Sequence, residues 1–253
     1  MKHLFKVVIP ARFDSGRLPG KVLEDIAGKT MIEHVVEAAR NSTAEDVVVA
    51  TDNDKVAAVV KGFGCRAIMT SPSHASGSDR IAEACKILEW DDATIVVNVQ
   101  GDEPAIPSAL IDQVATLLAD HDQAVMATLS TPLLHPTEML DPSMVKVVTD
   151  LNQSALYFSR APIPWKRSEN TAELDTSGFS LASRHLGIYA YQSGYIQQFS
   201  ARPPCALEKI ERLEQLRALW HGERIVCATA EVAPPPGVDT AHDLERMRSY
   251  FLQ

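Results

Sequence analysis

Short apolar strands alternating with amphipathic helical stretches through the first half of the chain leave few folds open, because that order builds a parallel sheet with helices packed on it. Residues 6–10 (KVVIP), 46–51 (DVVVAT), 66–70 (RAIMT) and 93–99 (ATIVVNV) read as buried strands. Between them, residues 31–39 carry Met31, Ile32, Val35, Val36 and Ala39 at a helical period, and 55–60 and 80–88 follow the next two strands. The second half is more mixed. Strands are predicted at 124–129, 144–149, 155–159, 186–191 and 225–231, with one long helix over 207–220 closed by Gly222. No linker, repeat or low-complexity tract marks a boundary, so the 253 residues read as one large domain or as a core with an elaborated lobe. In open α/β sheets ligands bind at the carboxyl ends of the strands, and the site is expected there.

A net charge of −9 argues against a nucleic-acid or membrane-surface binder, since both need clustered positive charge. No apolar run reaches the roughly 18 to 20 residues of a membrane span, and Met1 leads into a strand without a signal-peptide core, so no membrane insertion and a cytoplasmic location are expected. Cys65, Cys85, Cys205 and Cys227 lie far apart, without a CxxC pair, and read as reduced buried hydrophobes. In this acidic chain, the loop after the first strand, PARFDSGRLPGK, concentrates Arg12, Arg17 and Lys21. Arginine grips phosphate oxygens with two donors, lysine adds a point charge, and Gly16 and Gly20 allow backbone amides to come close. The spacing is neither a P-loop nor a dinucleotide fingerprint. From spacing alone it reads as a polyphosphate site or as a surface loop paired with nearby carboxylates.

Two aspartates follow. Asp102 sits in NVQGDEP, a turn ending the strand at 93–99, and Asp239 sits in GVDT ahead of the final helix. Carboxylates at a sheet edge suit a hard cation, while Asp102 also reads as a turn former and Asp239 as a lead-in to a capping box of Thr240 and Asp243. Ser76, Gly77 and Ser78 precede a helix, with Ser76 placed as its N-cap. Asp52, Asn53 and Asp54 spell DxD, the metal motif of many glycosyltransferases, but read better as a helix cap. On the 207–220 helix, Glu211, Glu214 and Gln215 share a face beside the apolar stripe.

The loop resembles the signature of the sugar-activating cytidylyltransferases, the CMP-Kdo synthetase (3-deoxy-manno-octulosonate cytidylyltransferase) family, with Arg12, Ser15, Arg17 and Lys21 in register and Gly16 where a hydroxyl residue is usual. Seven ordered blocks extend the resemblance along nearly the whole chain: ATDND, SGSDR, NVQGDEP, ALYFSRAPIPW, RHLGIYAY, LEKIERLEQLR and GVDT. The resemblance implies a three-layer, Rossmann-like nucleotide-diphospho-sugar transferase fold with a mostly parallel sheet, a single nucleotidyltransferase domain over 1–253, and a homodimer formed through a lobe at roughly 124–187. It implies that CTP and the acid sugar Kdo react to give CMP-Kdo and pyrophosphate for lipopolysaccharide assembly. Arg12, Ser15, Arg17 and Lys21 would meet the triphosphate, Ser76, Gly77, Ser78 and Arg80 the nucleotide, and Asp102 and Asp239 a Mg²⁺ ion. Arg12, Lys21 and Asp102 would carry the catalysis. Gln100, Arg160, His185, Tyr189, Glu214 and Gln215 are the implied sugar contacts, with Arg160 as carboxylate clamp or, on its bare reading, a surface ion pair. Alternatives are the same chemistry on 8-amino-3,8-dideoxy-octulosonate or on a nonulosonic acid such as sialic acid, a non-catalytic nucleotide-sugar-binding protein, and a glycosyltransferase.

Overall fold

The structure, a computed structural model, describes residues 3–13, 18–165 and 182–252. Of the residues singled out above, Ser15, Gly16 and Arg17 lie outside the described residues, as does part of the proposed lobe. The elements run β1 (Phe5–Pro10), a 3-10 turn (Lys21–Leu23), β2 (Asp25–Ile26), β3 (Lys29–Thr30), α1 (Met31–Arg40), β4 (Asp46–Thr51), α2 (Asp54–Gly62), β5 (Arg66–Met69), α3 (Gly77–Ile87) and β6 (Ile95–Asn98). There follow α4 (Ser108–Ala119), β7 (Met126–Pro132), β8 (Lys146–Thr149), β9 (Ala155–Ser159), β10 (Ser183–Gln192), α5 (Ser193–Ala201), α6 (Ala206–Glu211), α7 (Leu216–Trp220), β11 (Ile225–Thr229) and α8 (Ala241–Phe251).

The main sheet has the order β11-β7-β10-β6-β1-β4-β5, with β8 and β9 attached beside β10 and the short β2–β3 pair apart. Along that path β10 alone runs against its neighbours, so the sheet is mostly parallel. Alternation along the strands builds the layers, because successive side chains leave opposite faces. Val7 and Ile9 of β1 join Val49 and Val97 under α1, α2 and α4, where Ile32, Val35, Val56, Val60, Leu110 and Val114 are buried. Val8, Val48 and Val96 face the other way, onto Ile81 and Ala84 of α3 and Ile196 and Phe199 of α5. The result is the expected three-layer α/β fold. A third cluster of Ile26, Met31, Val238, Leu244 and Met247 fastens α8 against the β2–β3 pair.

The four strands expected in the first half fall where the apolar runs place them: β4 keeps its expected bounds, β1 gains Phe5, and β5 and β6 are trimmed at their ends. The sequence reading did not place the β2–β3 pair, α4 or α5, and two further features differ from it. The strand expected at 186–191 runs over Ser183–Gln192, because its amino end pairs with β8 as well as β7. More consequentially, the helix expected over 207–220 is two helices, α6 and α7, separated by a left-handed residue, Arg212 (φ 53, ψ 50). Leu207, Leu213, Leu216 and Leu219 still turn toward the core, whereas Ile210 is exposed, so the period crosses a break it does not reveal.

Candidate active site

Three loops meet at the carboxyl ends of β1 and β6. Gly101 follows β6 so closely to the β1 exit that a Cβ there would stand 3.0 Å from the Pro10 carbonyl oxygen, and only a residue without one fits unstrained. Gly237 is similarly pressed on the Asp102 carbonyl, 3.2 Å from where its Cβ would be, and the Val238 amide donates to that carbonyl at 2.9 Å. These contacts bring together segments that are distant in sequence. Gly20 takes a left-handed backbone (φ 73), and its amide donates to the Phe13 carbonyl, turning the chain so that Lys21 points inward, 8% exposed.

Lys21 therefore ends between the two aspartates. Its Nζ donates to Asp102 Oδ2 at 2.6 Å, to Asp239 Oδ1 at 3.1 Å and to the Val238 carbonyl at 2.9 Å. Thr240 and Asp243 form the capping box anticipated for α8, and the Asp239 amide adds a third donor to the Asp243 carboxylate. Asp239 thus precedes the capped helix rather than capping it, leaving its carboxylate to Lys21. Next to Asp102, Glu103 is pushed up to about 7 by burial and then by the Asp102 charge.

Beside this cluster opens a cavity of about 290 Å³. Its walls hold Arg12, Ser76, Gly77, Ser78, Gln100, Tyr189, Glu214 and Gln215, eight of the positions expected from sequence. Arg12 Nη2 donates to the Ala75 carbonyl at 3.3 Å, tying the loop after β1 to the entry of α3. Ser76 caps α3 in a reciprocal box with Asp79, as its N-cap reading required. Ser78 donates its hydroxyl proton to Glu214 Oε2 at 2.6 Å, which joins the nucleotide-side and sugar-side candidates directly. Gln215 is 5% exposed, yet its Nε2 has no hydrogen-bond partner among the described residues. Leaving an amide donor buried and unpaired costs about 1–3 kcal/mol.

Arg80, Arg160 and His185 lie outside the cavity wall. Arg80, 2% exposed, is spent on Asp52 at 2.6 Å and on the Thr70 hydroxyl, bracing α3 against β4 and β5. Arg160 does not line the cavity: its Nε donates to the Glu211 carbonyl at 2.8 Å and its Nη1 to the Pro142 carbonyl at 2.9 Å. His185 packs edge-on to Phe158, with Nε2 3.0 Å from Thr128 Oγ1; burial, then the Arg184 charge, pulls its pKa down to about 3. It is a neutral ring at ordinary pH. Burial likewise holds the Tyr189 phenol well above its usual range, so Tyr189 offers a proton to a ligand and keeps it. Asn53 accepts from the amides of Lys55 and Val56 as the cap of α2, and Asp52 is taken by Arg80, so the DxD letters serve a helix start. Sequence reading missed Asn98, Tyr191 and Arg212 as cavity walls. The strand period could have flagged the first two, since Asn98 and Tyr191 sit on paired strands; nothing in the sequence marks Arg212.

The Cytidylyltransferase family model matches residues 6–225. The 3-deoxy-manno-octulosonate cytidylyltransferase of Pseudomonas fluorescens is 53% identical over 250 residues, covering 98% of each chain, and that of Coxiella burnetii is 49% identical over 251 residues, covering 98% of this chain and 99% of its own. Among solved structures, a CMP:2-keto-3-deoxy-manno-octonic acid synthetase complexed with CTP superposes with a TM-score of 0.88 at 40% identity, over 99% of this chain and 98% of that one. A cytidylyltransferase from Leptospira borgpetersenii, 17% identical with a TM-score of 0.60 over 100% of this chain and 89% of that one, shares the fold. With the family model matching most of the chain and relatives alike from end to end, the chain belongs to the cytidylyltransferase family and groups within it with the 3-deoxy-manno-octulosonate cytidylyltransferases.

Proposed function

We propose that the chain transfers the cytidylyl group of CTP to the anomeric hydroxyl of 3-deoxy-D-manno-octulosonate, forming CMP-Kdo and releasing pyrophosphate, as the names of its relatives indicate for them. The hydroxyl oxygen attacks the α-phosphorus, the bond to the bridging oxygen breaks, and the proton leaves the sugar. The carrying observation is the Lys21 ammonium held by Asp102 and Asp239, with Arg12, from the same loop as Lys21, in the wall of the cavity. Lys21 and Arg12 would counter triphosphate charge, and the α3 start at Ser76, Gly77 and Ser78 would meet the cytosine with backbone groups. Ser15 and Arg17 belong to the same loop in this reading. Gln100, Tyr189, Glu214 and Gln215 would hold sugar hydroxyls from the cavity wall that all four line.

Among the described residues no cluster of three His, Cys, Asp or Glu side chains forms a closed metal cage. Mg²⁺ does not need one: it commonly takes one or two carboxylates together with substrate phosphates and water. Asp102 and Asp239 already hold one cation, the Lys21 ammonium, through oxygen atoms alone, and that donor set fits Mg²⁺. Bound there, it would supply positive charge against the triphosphate. In-line transfer then asks for positioning and charge, with no covalent nucleophile on the protein.

The same reading takes the chain as one nucleotidyltransferase domain acting in the cytoplasm in lipopolysaccharide biosynthesis, supported by four free, buried cysteines. It includes a homodimer through the 124–187 lobe, supported by Leu134, Leu140, Leu151, Leu156 and Trp165, apolar side chains all largely exposed on that lobe. Pyrophosphate release tests the substrate assignment across the four nucleoside triphosphates with Kdo, 8-amino-3,8-dideoxy-octulosonate and sialic acid. CTP with Kdo should dominate; a faster reaction with another acid sugar would move the assignment to that sugar.

A further inference from the structure

The break between α6 and α7 decides what the sugar-side wall contains. On an unbroken helix Glu211, Glu214 and Gln215 would share one face. Here Arg212 adopts a left-handed backbone, the Leu213 amide returns to the Glu208 carbonyl, and the chain runs through a turn until α7 starts at Leu216. Glu214 and Gln215 consequently enter the cavity, and Glu211 leaves in another direction.

Glu211 goes to β9. One carboxylate oxygen accepts from the Ser159 hydroxyl at 2.7 Å, the other from the Arg160 amide at 3.0 Å, and the Arg160 side chain returns a bond to the Glu211 carbonyl at 2.8 Å. The far side of this clamp is anchored in turn. Lys146, 0% exposed, gives its ammonium to the carbonyls of Arg160, Asp141 and Met144, and Arg160 reaches the carbonyl of Pro142. None of these bonds touches the cavity. Left-handed residues with side chains are held in place only by surroundings that over-determine them, and the clamp on Glu211 is the tertiary restraint immediately before this one.

We propose that Glu211 is a positioning residue for the acid-sugar half of the reaction: its carboxylate, gripped by Ser159 and the Arg160 amide, holds the break at Arg212 that delivers Glu214 and Gln215 to the substrate. This rests on the function proposed above. A buried ion pair would merely add stability; a brace sets the geometry of one substrate and not the other, and a shift of about 1 Å in a positioning group can cost about 100-fold in rate.

The test compares steady-state kinetics in CTP and in Kdo for the wild type, Glu211→Ala, Glu211→Gln, Arg212→Gly and Glu211→Ala with Arg212→Gly. Glu211→Ala should lower kcat/KM for Kdo by about 10- to 100-fold while KM for CTP stays at its wild-type value. Glu211→Gln should keep most of the activity, since its amide oxygen still accepts from the Arg160 amide and the Ser159 hydroxyl can accept from its NH2. Arg212→Gly, which adopts the left-handed turn without a Cβ clash, should narrow the Kdo loss caused by Glu211→Ala, measured against Arg212→Gly alone because Arg212 also lines the cavity. Without any substrate, trypsin should cut after the exposed Arg212 several-fold faster in Glu211→Ala than in the wild type. Equal losses on both substrates, or unchanged cleavage, would each overturn the brace. A wild-type chain inert toward CTP and Kdo would instead overturn the proposed function, with the cleavage comparison still reading the brace.

Discussion

At the scale of single residues, the site is governed by where charge is allowed to stay. Lys21 is nearly buried and faces two carboxylates, so Lys21→Ala removes the ammonium from a place built for positive charge and leaves the carboxylates without it. The expected result is a KM for CTP raised by about 10-fold or more, with a lower kcat, in a pyrophosphate-release assay; unchanged CTP kinetics would make the loop a structural feature. His185 illustrates the opposite choice. Unfolded, its imidazole takes a proton near 6.5; folded, only near about 3. Across that window the unfolded chain binds more protons, so stability falls as the pH drops, at up to about 1.4 kcal/mol per pH unit. His185→Gln should therefore unfold at lower urea at neutral pH, having lost the ring's packing on Phe158, and yet lose less stability between about pH 6 and pH 4. Equal acid slopes in the two chains would contradict a ring that stays neutral in the fold. The Arg160 guanidinium shows why some roles could not be read from letters: its planar fork suits carboxylates and carbonyls alike, and here two backbone carbonyls claim it.

At the scale of elements, strands were the most legible part of the chain because the sheet buries both faces and leaves nearly unbroken apolar runs. Helix starts were nearly as clear, since a cap is a local bond: Ser76 with Asp79 and Thr240 with Asp243 both form the boxes their spacing describes. The α6–α7 break was hidden because Arg212 has no local preference for a left-handed backbone; tertiary bonds from β9 hold that turn, and they come from residues far away in sequence. Asn53 allows a direct test of element against motif. Its side chain accepts two amides at the start of α2, so Asn53→Ala should cost about 1 kcal/mol in urea unfolding and leave pyrophosphate release unchanged. A loss of turnover without a loss of stability would revive a metal role for the DxD letters.

At the scale of the whole molecule, the fold places its ligands by topology. Strands β1 and β6 are parallel neighbours, their carboxyl ends release the Arg12–Lys21 loop and the Asp102 turn side by side, and the segment leading into α8 brings Asp239 back from the far end of the chain. Contact across such sequence distances was legible only through the resemblance, because spacing alone left both aspartates with local explanations. The exposed leucines of the 124–165 stretch belong to this scale as well. Sedimentation should find a dimer, and replacing Leu151 and Leu156 with aspartate should yield monomers, whereas a monomeric wild-type chain would contradict the lobe's proposed role. The central claim is that Asp102 and Asp239 act as one unit on the nucleotide. It is tested most directly by kcat for pyrophosphate release in Asp102→Asn, Asp239→Asn and the double variant, each with its thermal unfolding recorded. Both single variants should lose about 100-fold or more with the fold retained, and the double variant should be little slower than either; near-normal turnover in either single variant, or losses that multiply in the double, would contradict it.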